Sequence, residues 1–373
     1  MLEKKEFSSL LITLMSLKLL FNFPLNLIKN SANAAWIQVI FLTLVALLLF
    51  YITTRVYEKR INLIELAKIH TNKPIKIIVG LLIFAVMLMN MMSMMRVFPE
   101  SVKIILLKNT DTGVITGVYA ITIFIGALLG IKAVAKVNYI FLSICGILLL
   151  GFILLLIPYY KIENIFPILG NGAKSLFLGG IKHISLFSDI IVLNILIAYS
   201  KNLGDAKKSG YKAIIISGIV GVIITLLYGM VYPYPQSERF ILPMYQLTRM
   251  IHLGNFFNRF EALFQFIWSI LAFLYGAVYL YMLCFVWQIT FGLKYLKPLI
   301  LPMIILVSGL ALLPESIMDI MQISEIFEYI SYPIAFFLPI IIGGIDKRRK
   351  LNENSKNFYC NCRGYVFMFL WWR

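Results

Sequence analysis

Lys18, Asn22 and Pro24 fall inside a run that is otherwise apolar from Phe7 to Ile28. Gly179-Gly180, Lys182, His183, Ser185, Ser188 and Asp189 interrupt a second such run, Ser175–Ser200. A lysine and an aspartate in apolar surroundings can pair with each other or face a charged solute. Proline and paired glycines break a helix and free backbone groups to bind one. Lys18 lies about eleven residues after Phe7, roughly 16 Å deep at about 1.5 Å per residue. Left unpaired there, a lysine costs about 2.5–3.5 kcal/mol on insertion scales. Lys18 therefore reads as an internal cation, with Asp189 its partner by depth; the plainer alternative is a side chain that snorkels to the interface.

The candidate binding set is Lys18, Asn22, Gly179, Gly180, Ser185 and Asp189. Three further residues complete it. Asn90 and Ser93 sit among Met87, Met89, Met91, Met92, Met94 and Met95, a stretch soft enough to mould to a ligand or simply to fill a core. Tyr275, with Tyr279 and Tyr281, lines a cavity or packs as aromatic filler. Enzyme signatures are missing: no phosphate loop, no GxSxG, no HExxH. His70, His183 and His252 lie in separate elements, and the tail pair Cys360 and Cys362 makes a poor metal site. The expectation is no catalytic residue, no metal and no cofactor.

The elements that position these residues are membrane helices. The chain is 61% hydrophobic and only 14% charged, more apolar surface than one aqueous core can hide. Uncharged runs such as Phe41–Tyr51 and Ile140–Ile157 approach the roughly 20 residues a spanning helix needs. The predicted fold is an all-α polytopic membrane protein of about ten spans: Phe7–Ile28, Ala34–Arg55, Pro74–Phe98, Gly113–Ile131, Val137–Ile157, Ser175–Ser200, Tyr211–Tyr232, Phe260–Phe291, Pro298–Leu313 and Ile326–Ile345. These form one domain over 1–350, with a tail at 351–373. Breaks in the first and sixth spans make the halves, 7–157 and 175–345, an inverted five-plus-five repeat with its site at the midplane. Gly113/Gly117 and Gly126/Gly130 suit close helix packing.

The formal net charge of +17 would suggest nucleic acid in a soluble chain. Here Lys and Arg sit between the apolar runs, so lipid headgroups are the expected polyanion. With the N-terminus inside, the inner loops carry most of the basic residues, while the loop after the ninth span holds Glu315, Asp319, Glu325 and Glu328 and no base. That bias places both termini in the cytoplasm. No small-residue site closes the first run, so no cleaved signal is expected.

Two loops are long. Residues 56–73 look like an interfacial helix. Residues 233–259 read as two short amphipathic helices broken at Gly254, with Leu247, Met250 and Ile251 on one face. They form an outer lid or a surface helix pair. Glu261 is two residues from Arg259, so on a helix the two do not face each other. Arg249 is its expected partner, either as a clamp over the site or as a pair that orients the helices.

Leu242-Pro243-Met244-Tyr245-Gln246-Leu247-Thr248-Arg249-Met250-Ile251, Gly254-Asn255-Phe256-Phe257, Arg259-Phe260-Glu261-Ala262-Leu263-Phe264 and Trp268 together resemble the signature of the spore germination permeases. Ala35-Trp36-Ile37 and the basic end of the last span add to the likeness, which covers about residues 1–350. Leu17-Lys18-Leu19-Leu20 stands where many members carry a glycine-containing stretch, and the tail after Lys350 does not resemble the family. The resemblance implies an amino acid–polyamine–organocation transporter fold. It also implies the B subunit of a germinant receptor in the spore inner membrane, working with an A subunit and a lipoprotein C subunit. Its ligand would be a small nutrient such as an amino acid or nucleoside. The alternatives are a secondary transporter of such solutes and a structural anchor for a receptor complex.

The loop charges generate a test. Cysteines at Asp205→Cys and Arg348→Cys should react with an impermeant maleimide only from the cytoplasmic side, and one at Gln236→Cys only from outside. Cytoplasmic labelling at 236 refutes the arrangement.

Overall fold

The computed structural model describes residues 1–20, 23–56, 61–70, 73–251 and 260–345. They are almost entirely helical, and their one β feature is a bridge between Leu2 and Ser200. The α-helices are α1 (Lys4–Leu20), α2 (Phe23–Ser31), α3 (Ala35–Val56), α4 (Leu63–His70), α5 (Lys73–Ile105), α6 (Thr112–Leu129) and α7 (Ile131–Leu155). They continue with α8 (Ala173–Phe177), α9 (Ile190–Leu196), α10 (Leu203–Val231), α11 (Pro243–Arg249), α12 (Phe260–Phe291), α13 (Lys297–Leu312) and α14 (Ile317–Tyr332).

Among the described residues, eight segments are long and apolar enough to cross a membrane: Phe23–Arg55, Lys73–Ile105, Thr112–Leu129, Ile131–Leu155, Ala173–Tyr199, Leu203–Val231, Phe260–Phe291 and Ile317–Ile345. The other two expected spans fall on shorter helices. α13 has 16 residues, and the first span divides into α1, of 17 residues, and α2.

The sixth span is the least regular. Between α8 and α9 the chain runs as a 3₁₀-helix from Gly179 to Phe187, nine residues, where such runs rarely exceed 3–4. Irregular backbone survives in a membrane protein only if protein groups satisfy it. Here α3 does so within the run, Gln38 Nε2 donating to Gly180 O at 3.4 Å, while Asn30 Nδ2 of α2 donates to Ser175 O of α8 at 2.9 Å, just before it.

Two expectations need correction. The acidic stretch after the ninth span is not a loop. Ser316 and Asp319 form a reciprocal capping box that satisfies two orphan donors and starts α14 at Ile317, so Asp319, Glu325 and Glu328 are helical. The helix α4, between the second and third spans, buries Leu63, Ile64, Leu66 and Ala67 and packs on α5 and α12. It is bound to protein rather than lying on lipid alone.

α1 runs parallel to α10, joined by Ser8–Ser209 at 2.8 Å and Ser16–Ser217 at 2.9 Å, hydroxyl to hydroxyl. α12 forms the other central wall and packs along α5 and α6. At the end of the bundle carrying the N-terminus, Leu2 is buried and its N–H donates to Tyr199 O at 2.9 Å. Glu3–Lys201 at 3.7 Å, Lys4–Asp205 at 3.5 Å and the Tyr199–Tyr281 hydroxyls at 3.4 Å seal the same end.

The α6–α12 contact is tight at Gly276, where an added Cβ would lie 2.3 Å from Ile123 Cδ1 and 2.7 Å from its Cγ1. Gly276→Ala should destabilise the protein by about 1–3 kcal/mol, the usual cost of overpacking. Ile123→Ala in the same chain should recover part of the loss. Thermal unfolding of the purified double variant checks this; strictly additive losses would show that the two residues do not meet.

Candidate functional site

Lys18 occupies the last turn of α1, and Asp189 the position that opens α9. An anion is favoured at a helix N-terminus, so the local field supports the charge on Asp189. Lys18 Nζ lies 3.2 Å from Asp189 Oδ2, 3.0 Å from Ser188 Oγ and 3.4 Å from Asn90 Oδ1. Tyr279 donates its hydroxyl to Asp189 Oδ1 and accepts from Asn90 Nδ2 at 3.5 Å. Four side chains from α1, the start of α9, α12 and α5 thus close a ring. Asp189 is fully buried, whereas the Lys18 side chain keeps 19% exposure. Tyr275, one turn before Tyr279, stacks on it with ring centroids 4.5 Å apart.

On the side of the ring away from the sealed end lies a cavity of about 110 Å³. Its polar wall holds Lys18, Asn90, Ser93, Ser185, Ser188, Tyr275 and Ser324, and its apolar wall includes Phe23, Met94, Val97 and Phe327. Asn26, Glu328 and Ser331 also line it. The Glu328 carboxylate spans α14, α2 and the 3₁₀ segment. It accepts from Asn26 Nδ2 at 3.2 Å and lies 3.0 Å from His183 Nδ1. Ser93 and Ser324 hydroxyls meet at 2.7 Å across α5 and α14.

The family described as spore germination protein, the spore permeases, matches residues 2–320. The chain belongs to this family. It is similar to spore germination protein YndE of Bacillus subtilis (strain 168), 27% identical over 272 residues, which are 69% of this chain and 71% of that one. It is also similar to spore germination protein A2 of the same organism, 26% identical over 328 residues, 84% and 86% of the two chains.

In this spore permease family member the residues singled out from sequence divide into three sets. Lys18, Asn90, Ser93, Ser185 and Tyr275 line the cavity, with Asp189 directly behind Lys18. Gly179 and Gly180 face Asn30 and Gln38 instead; a Cβ on Gly180 would sit 2.6 Å from Gln38 Nε2, so its smallness serves the approach of α3. Of the outer-loop set, Arg249 is exposed with its guanidinium 5.7 Å from the Tyr245 ring centroid. Glu261 stands in the first turn of α12. Asn22, Gly254 and Arg259 lie outside the described residues.

Sequence reasoning missed Asn26, Glu328 and Ser324 as cavity residues. The signal was present: Ser324, Glu328 and Ser331 recur at i, i+4 and i+7, a polar stripe on a largely apolar helix. It was hidden because the helix start was placed at Ile326. Among the described residues no group of three His, Cys, Asp or Glu could hold a metal.

Breaking a buried ion pair by removing one partner costs about 3–5 kcal/mol, because the other charge is left uncompensated. Lys18→Met should therefore sharply lower membrane accumulation and thermal stability, and Lys18→Met with Asp189→Asn should recover much of both. A double variant no better than the single one would show that the pair does not hold the fold.

Proposed function

We propose that this spore germination protein is the nutrient-sensing B-type subunit of a germinant receptor, with a small solute binding in the cavity above the Lys18–Asp189 ring. In this reading it sits in the spore inner membrane with both termini in the cytoplasm, and works with an A subunit and a lipoprotein C subunit. The observation that carries the proposal is the cavity itself: a pocket with one polar and one apolar wall, lined by the first and sixth spans, α5, α12 and α14, in a member of a germination family.

The mechanism follows from where the walls belong. A ligand shifts a conformational balance only by binding one state better than the other. A solute here touches residues of the two broken spans and of three packed helices at once, so relative movement of these elements alters its contacts. Moving a population from 1:99 to 99:1 takes roughly 10⁴-fold differential affinity. A reading as a secondary transporter draws on one further observation: the cavity lies on one side of the ring and the opposite end of the bundle is sealed, which is the asymmetry alternating access needs. Uptake of a nutrient by the purified chain in liposomes separates that reading from pure sensing.

Ser93→Trp should fill the cavity without touching the ring. In spores carrying it, the protein should accumulate normally while nutrient-triggered germination falls at least tenfold, equivalent to about 1.4 kcal/mol of lost ligand binding. Normal accumulation with an unchanged nutrient response would refute the cavity as the sensing site.

A further inference from the structure

A second cavity, of about 460 Å³, lies at the end of the bundle that carries the N-terminus. It is bounded by the end of α6, Tyr281 of α12 and the turn that leads into α13. Ala127 and Ile300 form its buried floor, and Leu128, Leu129 and Pro298 its exposed apolar rim. Tyr295 and Lys297 stand at the mouth, both exposed. Lys294 Nζ lies 5.2 Å from the Tyr295 ring centroid, which holds a second ammonium at the same edge. Neither lysine has an ion-pair partner among the described residues.

The charge of the walls is one-sided over long stretches of sequence. From Thr112 to Ile162 and from Ala262 to Pro314 there is no aspartate or glutamate. The cleft therefore offers an occupant hydrocarbon on its floor and ammonium and hydroxyl donors at its mouth. A small polar solute would find nothing on the floor to replace its water. A zwitterionic headgroup brings an ammonium that no carboxylate of these stretches can meet, beside lysines that repel it. An anionic phosphate carried on an acyl chain satisfies both parts, and basic pockets between spanning helices are a recurrent setting for such headgroups.

We infer that the cleft between α6, α12 and α13 binds an anionic phospholipid, its phosphate at Lys294, Lys297 and the Tyr295 hydroxyl and an acyl chain along the apolar floor. The inference stands apart from the nutrient-sensing reading and uses none of the residues of the central cavity. Tyr281 gives the site a bearing on the fold. Its ring lines the cleft, and its hydroxyl meets that of Tyr199 at 3.4 Å where the bundle is sealed. A lipid chain in the cleft packs behind that contact.

The test is photo-crosslinking of the full chain in liposomes of equal phosphatidylglycerol and phosphatidylcholine with identical acyl chains, the adducts being identified by mass. Leu129, exposed at the rim, is replaced by p-benzoylphenylalanine. In a second chain Ile52 is replaced instead; it is exposed beside Arg55 at the same end of the bundle, outside the cleft. The preference for phosphatidylglycerol at 129 should exceed that at 52 at least about fivefold, the worth of one lysine at a lipid surface. That comparison does not depend on any change to the lysines. Lys294→Gln with Lys297→Gln should bring the preference at 129 down to that at 52. Equal preference at the two positions overturns the inference, as does a preference at 129 that survives loss of both lysines. An adduct at 129 to a second copy of the chain would make the cleft a protein contact and also overturn it. Displacement of the lipid by excess inorganic phosphate at constant ionic strength would show an anion site without an acyl component, with the same consequence.

Discussion

An ammonium and a carboxylate buried in a lipid-spanning bundle stay charged only if each answers the other, and the arrangement around Lys18 and Asp189 follows from that need. The two residues come from the two interrupted spans, so the ends of α1 and of the 3₁₀ segment must lie side by side. Coulomb attraction alone seldom repays desolvation of a buried pair. Here Ser188, Asn90 and Tyr279 complete the solvation in a closed ring, which ties α5 and α12 to the broken spans. The close approach of α12 to α6 at Gly276 sits three residues before Tyr279 and supports the same wall.

The breaks themselves are stabilised from outside the ring. A nine-residue 3₁₀ run leaves poorly aligned backbone bonds; Gln38 reaches across to Gly180 within it, and Asn30 to Ser175 in the short helix α8 just before it. The glycine pair that marks this segment in the sequence thus acts as a packing device for α3, and the binding chemistry belongs to side chains further along.

What the sequence disclosed depended on the physical signal each feature carries. Long uncharged runs are unambiguous, so α3 and α12 fall within a residue of their expected limits, whereas α5 runs on past Phe98 to Ile105 and α10 starts at Leu203, ahead of Tyr211, where charged residues mask the helix ends. Lys18 and Asp189 were legible as partners because a charge at that depth has few alternatives. Glu328 was not, because acidic residues near a span end look like loop residues until the capping box at Ser316 and Asp319 is recognised as the helix start. The two glycines were legible as a break but not in their role, since a missing side chain serves ligand approach and helix approach equally well. Which face of α5 carries Asn90 and Ser93 inward followed only from packing, because methionine on every side leaves no polar stripe to read.

The centre of the molecule and its two ends are held by different kinds of contact, and this bears on where movement can occur. The ring at the centre is buried and closed on itself. The polar contacts at the sealed end include a backbone hydrogen bond from Leu2, a tyrosine pair and two ion pairs whose partners are 29–66% exposed. Exposed pairs of that kind contribute about 0–1 kcal/mol each. On the cavity side, Glu328 and Ser324 of α14 are joined to α2, the 3₁₀ segment and α5 by single contacts. Lys182 Nζ, 2.8 Å from Glu325 Oε1, adds one further tie between the 3₁₀ segment and α14, so movement about the ring would work against these polar contacts. A solute bridging α14 to the broken spans would then add its binding energy to one fastening, at the expense of the state in which that fastening is open.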